Sequence, residues 1–350
     1  MKKVMLALCA VMMLGMTACN KDNGTTEPNN PSGGGEPQIQ MPTGDGVFNP
    51  AQRLVSIAVD GTVTEELTWA NDVVTIITTA DEYGNLVETG WYEYDNYRLM
   101  SAGTTLEGMP VDVGYTYNGD QLTLMSLSSG PMEVMNIVPT RNAAGKVSHL
   151  SMDINPVVLA MLSELFSNGF PDIFGRIRPA QSADKFSVDN TAIAADLTWQ
   201  GDNVSQIVLS AQLEGSVTLE EIRQMVNLDS VAGAYASMLA YLPNSTVFPL
   251  TIDLADTASY AYDSQHNPFY GFLGTLDPTN LSANNATEIS NSGTATLTLT
   301  LDLGVMQLPF TFPYPLESTS ETRTYTYDAA GFPTSFTNGE GSVTQYTYQQ

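Results

Sequence analysis

Hydrophobic and polar residues alternate with a period of two along most of the chain from residue 54 onward. Val55, Ile57 and Val59 fall on one side of this alternation, and residues 294–303 alternate apolar residues with threonines and an aspartate. Successive side chains of a β-strand point to opposite faces, so this pattern gives each strand one apolar and one polar face. The body of the chain is therefore predicted to be mainly β.

A short unit recurs in this pattern, in which two aromatic or apolar residues lie two positions apart and precede a tight turn. The clearest copy is Tyr325-Thr326-Tyr327-Asp328-Ala329-Ala330-Gly331, where Asp opens the turn and Gly accepts the positive φ that closes it. Pro333 cannot donate to a ladder and indicates a bulge or a sheet edge. Looser copies begin at residues 67, 92, 115, 197, 260 and 346, and similar turns lie at 81–84 and 142–145. This spacing predicts an antiparallel meander.

Two or three helices are predicted to interrupt the strands. Asn155-Pro156 is a typical helix start, and residues 156–166 are apolar on nearly every side, so this helix is expected to be buried. Two roles stay open for it, a core element or the wall of an apolar cavity. Thr218-Leu219-Glu220-Glu221 has the pattern of a capping box, and a third helix is predicted over 229–242. The predicted fold is a meander that forms a curved sheet or barrel-like body with two or three packed or enclosed α-helices.

The N-terminus has the organisation of a lipoprotein export signal. Lys2 and Lys3 precede an apolar run over residues 4–16, which is too short to span a membrane as a helix. Small residues then lead to Cys19, whose thiol is the expected site of lipidation. Met16 stands where such motifs usually carry Leu.

Three regions follow from this signal. They are a signal peptide (1–18), a lipid anchor with a flexible tether (19–47) and a single β-rich domain (48–350). The tether is rich in Gly, Pro and Asn, a composition that cannot build a core. The expected partner of the N-terminus is a membrane, and the expected location is the outer membrane.

The chain is strongly acidic. It carries 38 Asp and Glu against 12 Lys and Arg, and loss of the leader with its two lysines leaves a net charge of 10 − 38, or −28. Such a surface repels phosphate groups, so nucleic acid is not an expected partner. Cys9 and Cys19 both lie in the leader region, which excludes a disulfide or a thiolate metal site in the body.

Residues that carry enzyme chemistry are scarce. His149 falls on the polar face of a predicted strand and His266 in a turn, so no shared metal site is expected. Asp72, Asp120 and Asp202 lie near turns and are interpreted as backbone caps rather than calcium ligands. We expect no catalytic residue, no metal and no cofactor. A hydrolase with a carboxylate pair is the least favoured alternative.

Aromatic and apolar side chains are the candidates for ligand binding. Trp69, Trp91 and Trp199 suit stacking on sugar rings, although aromatic residues in hairpins more often serve cross-strand packing. Met161 and Leu165 on the apolar helix would line a cavity for an apolar molecule. The predicted function is non-catalytic binding of a glycan or a lipid-like molecule. The alternative is a structural or adhesive envelope protein without a small ligand.

Two motifs resemble a known group of proteins. Tyr260-Ala261-Tyr262-Asp263 runs on to Asn267-Pro268-Phe269, and a Tyr-x-Tyr-Asp-x-x-Gly-Phe-Pro hairpin follows at 325–333. This part of the chain resembles uncharacterised envelope lipoproteins of the Bacteroidota, some of which share a domain of unknown function with a porin-like, barrel-like fold. Lys21-Asp22 resembles a short form of their acidic surface-export signal. The resemblance implies a barrel-like sheet and favours the cell surface slightly over the periplasmic face, and it implies no activity.

Overall fold

The computed structural model describes residues 42–81, 83–106, 109–155, 157–158, 187–220, 241–274, 278–302, 307–316 and 318–349. Most of them belong to β-strands. In chain order the strands are β1 Leu54–Val59, β2 Thr62–Ala70, β3 Val73–Ala80, β4 Leu86–Asp95, β5 Arg98–Leu106, β6 Met109–Asn118, β7 Gln121–Ser129, β8 Met132–Arg141, β9 Val147–Ile154, β10 Ser187–Gln200, β11 Asn203–Thr218, β12 Val247–His266, β13 Asn284–Asp302, β14 Gln307–Pro315, β15 Thr319–Tyr327, β16 Pro333–Asn338 and β17 Val343–Tyr348.

The strands close into a barrel. Each strand pairs antiparallel with the next one in the chain, except that β14 does not pair with β15. The last strand, β17, pairs with β1. β14 and β15 pair with successive parts of β13, because Pro315 lies opposite Thr294 and Thr319 lies opposite Asn291. They act as one long strand, so the ring has 16 strands. The prediction of a mainly β meander is confirmed, and of its two forms the closed barrel is correct.

The inner face of the barrel is mostly apolar and the outer face is polar. Inward positions carry large side chains such as Leu127, Ile137 and Leu150, which are at most 1% exposed. On the outer face, Gln212 of β11 donates a hydrogen bond to Asp253 of β12 at 2.7 Å. A transmembrane barrel has the opposite arrangement, with an apolar outer band and a polar lumen. The outer wall of this barrel is therefore suited to water.

The two ends of the barrel have different contents. We call proximal the end at which β2, β4, β6, β8, β10, β12, β15 and β17 finish, and distal the end at which they begin. Copies of the aromatic unit lie towards the ends of all of these strands except β8, as at Tyr92-Glu93-Tyr94 on β4 and Tyr115-Thr116-Tyr117 on β6. Their aromatic side chains point inward, so they collect inside the proximal end. The recurring unit is thus a layer of the barrel core.

Two segments that do not belong to the strands of the wall lie inside the proximal end of the barrel. They are the N-terminal residues 43–48 and the loop 267–283 between β12 and β13. Phe272 of the loop is 1% exposed and packs against Phe48, with ring centroids 4.9 Å apart, and against Tyr92 at 5.3 Å. The interior at this end is therefore filled by side chains that the strands do not supply.

A buried charge fixes the N-terminal segment to the barrel. The carboxylate of Asp45, a residue 5% exposed, accepts hydrogen bonds from Arg141 and from the N–H of Leu122. Burial raises the pKa of this carboxyl, and the hydrogen bond from Leu122 and the charge of Arg141 oppose that rise. The carbonyl of Gly46 accepts a hydrogen bond from the N–H of Leu99 at 2.9 Å. This segment is part of the packed body.

The turns have the predicted chemistry. Oδ1 of Asp328 accepts hydrogen bonds of 2.9 Å from the N–H groups of Ala330 and Phe332, and Gly331 has a φ of +83°. The predicted bulge is present where Tyr327 meets Pro333. The same turn is found at 81–84 and 142–145, as predicted, and a further copy at 338–341 was not predicted.

The expected helices fall almost entirely outside the described residues. Of residues 156–166 the structure describes only 157–158, and of the two later helices only 218–220 and 241–242. Within the described part the one helical element longer than two residues is the 3₁₀ turn Pro278–Leu281, so two or three packed helices have no support there. No helix in that part is long and apolar enough to cross a bilayer.

The β14 strand has one edge without a partner strand among the described residues. Pro309, Pro313 and Pro315 lie at alternate positions of β14, and the ladder to β13 continues past all three. Their nitrogens therefore face the free edge. Because proline has no N–H, the donors needed to add another strand are missing at these positions. The prolines protect the barrel from edge-to-edge association.

Gly46 is predicted to be essential for the packing of the N-terminal segment. Its φ is +77°, and a Cβ there would lie 2.2 Å from the Tyr117 hydroxyl. We expect Gly46→Ala to lower the free energy of unfolding by about 2–4 kcal/mol in urea denaturation. Gly61→Ala is the matched control, because Gly61 has a φ of +82° with no atom within 4 Å of the added Cβ. It should cost only about 1 kcal/mol. Equal losses would show that the segment is not tightly packed.

Candidate functional site

One arrangement of three side chains occurs three times at the proximal end. In each copy, which we call a clamp, a basic side chain lies over an aromatic ring and pairs with an Asp in the turn that follows the strand of that ring. The three clamps are Arg53 with Trp69 and Asp72, Arg98 with Tyr117 and Asp120, and Lys146 with Trp199 and Asp202. The distances from cation to ring centroid are 5.4, 5.2 and 5.0 Å, which is the range of cation–π contacts.

The polar edge of each clamp ring is also bound. Trp69 Nε1 donates to the carbonyl of Leu54 at 2.7 Å, the Tyr117 hydroxyl to that of Leu99 at 2.6 Å, and Trp199 Nε1 to that of Val147 at 2.7 Å. Each acceptor is the residue directly after the basic residue of the same clamp. Each clamp therefore connects three consecutive strands, and its ring is held both at the face and at the polar edge. The clamps have a structural role.

The clamps recur every four strands around the ring. They occupy β1–β3, β5–β7 and β9–β11. The next would involve β13, the β14–β15 strand and β16, but residues 283–286 are Ala-Asn-Asn-Ala and supply no basic side chain. The hydroxyl of Tyr327 donates instead to the carboxylate of Asp263. One quarter of the ring thus departs from the repeat, and it is the quarter that the loop 267–283 enters.

The structure places the predicted ligand-binding tryptophans in separate positions. Trp69 and Trp199 belong to two different clamps. Trp91 lies on the outer face, where its ring covers Gly103 so closely that a Cβ there would be 1.9 Å from the ring. Met161 and Leu165 lie outside the described residues. The structure therefore does not bring the three tryptophans together into one shelf.

The turn aspartates have a role that the sequence does not indicate. Asp72, Asp120 and Asp202, for which backbone capping is predicted, each pair through the carboxylate with the Arg or Lys of the same clamp. The basic partner comes from 19 to 56 residues away in the chain. Such a contact depends on strand pairing, so the local pattern could not indicate it.

A cavity of about 350 Å³ lies inside the barrel against the quarter that lacks a clamp, and it extends to β1 and β2. We call it the chamber. Its walls are inward residues of β1, β2, β13, β15, β16 and β17, and its floor is the loop 267–283. Val59 and Thr344, which also line it, adjoin distal hairpin turns, so the chamber approaches solvent at the distal end. Four aromatic residues contribute to its surface: Phe269, Tyr325, Phe336 and Tyr346.

Arg323 is the cationic group of the chamber. Its Nε donates to Oε1 of Glu321 at 2.7 Å and a terminal nitrogen donates to Oε2 at 3.3 Å, while the guanidinium lies 5.2 Å from the centroid of Phe336. Burial alone would lower the pKa of Arg323, but the hydrogen bonds and charge of Glu321, together with Tyr325, raise it overall. Burial raises the pKa of Tyr325. The site therefore holds a charged guanidinium already paired with a carboxylate, beside a neutral phenol.

The remaining polar lining is largely uncharged. In the described part of the chain, Glu65 of β2 is the only carboxylate that lines the chamber, and threonines and asparagines supply the other polar groups apart from Arg323 and the tyrosines. With Arg323 neutralised by Glu321, the formal charge of this set is −1. The chamber thus combines aromatic faces with neutral hydroxyl and amide groups and has no excess of positive charge.

Hydrogen bonds of side chains hold the floor of the chamber in place. Nδ2 of Asn267 donates to the carbonyls of Thr279 and Ser282 at 2.9 and 3.0 Å, and its Oδ1 accepts from the N–H of Phe269 at 3.0 Å. Asn267 therefore connects the two ends of the loop and positions Phe269 at the chamber surface.

A second residue fixes the loop at its exit into β13. Asn285 is 5% exposed, and its Nδ2 donates to the carbonyl of His266 at 3.1 Å. Its N–H donates to Oδ1 of Asp263, and the other carboxylate oxygen of Asp263 accepts from Tyr327. Asp263, which accepts the Tyr327 hydrogen bond in place of the missing clamp, therefore also holds the loop at the base of the chamber in position.

The two histidines lie apart. His149 is on the outer face of β9, as predicted, and its Nδ1 is 2.7 Å from Oδ1 of Asp196. His266 ends β12 and stacks on Phe332 with centroids 5.1 Å apart. Among the described residues no three His, Cys, Asp or Glu side chains are grouped as metal ligands.

The chamber residues were not identified from the sequence. Arg323 and Tyr325 lie two positions apart on β15 and so share the inward face, but strand parity alone does not say that the space beside them is empty. The one available signal was Arg323 itself, a basic residue on the apolar side of a strand in a chain with 12 basic residues. Phe269 stands in the Asn-Pro-Phe motif, which was noted only for its resemblance.

Comparison with protein-family models gives no match to this chain, and comparison with curated proteins gives none either.

Asn267 is predicted to set the stability of the loop. Asn267→Ala removes its hydrogen bonds in a half-buried site, and we expect a loss of about 2–3 kcal/mol with faster amide hydrogen exchange across 267–283. Asn142→Ala is the control, because Asn142 makes a similar turn at an exposed hairpin, where water can replace its bonds. It should cost about 1 kcal/mol or less. Unchanged exchange in the Asn267 variant would contradict this role.

Proposed function

We propose that the protein is a non-catalytic, lipid-anchored component of the cell envelope that binds a small molecule inside its barrel. One observation carries the binding function: the chamber borders the quarter of the ring that departs from the clamp repeat. Departures from a regular structural rule are expected at functional sites. A volume near the lower end of the usual range for ligand pockets supports a compact ligand.

The contents of the chamber support binding rather than catalysis. Its guanidinium is neutralised by Glu321, and its other acid, Glu65, faces it from another strand. A glycosidase needs two carboxyl groups placed on either side of a scissile bond. Glu321 already accepts hydrogen bonds from Arg323 through both oxygens. We therefore retain the non-catalytic assignment.

The location rests on the leader and on the polarity of the wall. A polar outer face fits a barrel that stands beside a membrane and is held by a lipid on Cys19. A barrel fold is compatible with an envelope protein, and the resemblance to Bacteroidota lipoproteins favours the outer membrane, with the cell surface slightly preferred over the periplasmic face. The chain reaches the barrel at the proximal end, so the tether attaches there and the distal mouth of the chamber is free to face away from the bilayer.

Lipid anchoring predicts a clear result for Cys19→Ser. In the organism that encodes the protein, we expect the variant to move from the membrane fraction to the soluble fraction, because acyl chains on this thiol provide the attachment. Cys9→Ser is the control, since Cys9 lies inside the signal and should leave fractionation unchanged. Membrane retention of the Cys19 variant would exclude the lipoprotein assignment.

Ligand binding is tested by native mass spectrometry of the full chain, purified from its own host in mild detergent. We expect an additional mass that is lost on denaturation and that identifies a non-covalent small molecule. Repeated absence of any such mass, together with no binding to a panel of metabolites, would instead support a structural or adhesive envelope protein.

A further inference from the structure

We propose that the chamber recognises one uncharged, hydroxyl-bearing ring, the size of a monosaccharide unit, as a free sugar or as the end of a glycan. This inference rests on the proposed binding function and narrows its ligand class. It follows from the size, the charge and the surface of the chamber, each of which excludes a different class of ligand.

The charges of the chamber disfavour an anion. Among the described residues that line it, Arg323 is the only cation, and both oxygens of Glu321 already accept its hydrogen bonds. An incoming carboxylate or phosphate would compete with Glu321 and would also meet the charge of Glu65. Like charges in a partly desolvated site are repulsive, so acidic sugars and phosphorylated molecules should bind poorly.

The polar groups of the chamber disfavour an entirely apolar molecule. A hydrocarbon placed against Arg323, Glu65 and the threonines would remove their water and return no hydrogen bond, which is costly for every group left unpaired. A lipid chain also needs a long apolar tunnel, whereas this cavity is compact and its floor is fixed by Asn267. The lipid-like alternative therefore fits the chamber less well than a polyhydroxylated ring.

The aromatic residues supply a surface for the C–H faces of such a ring. Phe336 and Tyr346 come from adjacent strands, with ring centroids 6.2 Å apart, and Phe336 is 5.3 Å from Tyr325. These rings form one continuous patch beside the guanidinium of Arg323. A sugar has apolar C–H faces and a polar edge of hydroxyl groups, and this juxtaposition offers contacts to both.

Binding is tested on the full-length chain by titration calorimetry with four probes: glucose, N-acetylglucosamine, glucuronate and the uncharged apolar molecule 1-octanol. Glucose and glucuronate are a matched pair that differs in the carboxylate. We expect saturable binding of a neutral sugar and at least tenfold weaker binding of glucuronate and 1-octanol.

The position of the binding site is tested by a substitution that fills the chamber. Thr344→Phe places a large side chain into it from β17, and we expect loss of neutral-sugar binding. Thr347→Phe is the control, since it adds the same side chain to the exposed outer face of the same strand and should bind as the unmodified protein does. Thermal unfolding of both variants confirms that they are folded.

The charge argument is tested by Glu321→Gln, which leaves Arg323 without its carboxylate. We expect this variant to gain at least tenfold in affinity for glucuronate relative to glucose. Glu288→Gln, on the exposed face of β13, should leave the ratio unchanged.

The outcomes separate the two proposals. Neutral-sugar binding that persists in Thr344→Phe would place the site outside the chamber and overturn this inference. Preferred binding of glucuronate or 1-octanol, lost in Thr344→Phe, would overturn the ligand class while supporting the proposed binding function. Absence of binding to all four probes would also overturn the proposed ligand class. If native mass spectrometry also finds no ligand, the binding function itself fails.

Discussion

A closed ring of sixteen strands encloses more space than its own inward side chains can fill, and the rest of the structure depends on this constraint. Barrels of this strand number in membranes leave an aqueous channel. Here the inner face is apolar, so an empty interior would expose it to water, and protein interiors are normally close-packed. The loop 267–283 and the N-terminal segment enter the proximal end, where Phe272 and Phe48 meet. The wall and its filling are thus one folding unit.

The four-strand clamp repeat explains why the loop 267–283 enters the barrel where it does. In three quarters of the ring, a basic side chain connects the aromatic end of one strand to its two neighbours, and the connections between strands at the proximal end are short there. In the remaining quarter no clamp forms, and the chain between His266 and Asn284 turns into the barrel. The bond between Tyr327 and Asp263 occupies the position of the clamp and seats the loop. The chamber is the space left between this loop and the distal rim.

Local rules predicted the parts of this fold that depend on adjacent residues. Strand alternation located β1 and β13, and the capping chemistry of Asp328 and Gly331 was correct in detail. Closure could not be predicted, because the pairing of β1 with β17 joins residues at opposite ends of the chain. The same limit applies to the clamps. Trp199 was recognised as a repeat of Trp69, but the cation over each ring comes from another strand, and a cavity is a property of packing that no spacing encodes.

The ion pair of Arg323 and Glu321 is hard to explain by stability alone. A partly buried pair loses hydration that its mutual attraction only partly restores, and apolar residues of similar size often stabilise a core more. Elsewhere the inward face of this barrel uses such residues, as at Ile137 and Leu150. Here the pair keeps a polar group beside the aromatic patch of Phe336 and Tyr325 while leaving no net positive charge. That combination suits recognition of a neutral polar ring, which needs hydrogen-bonding groups held in a fixed place but no opposite charge.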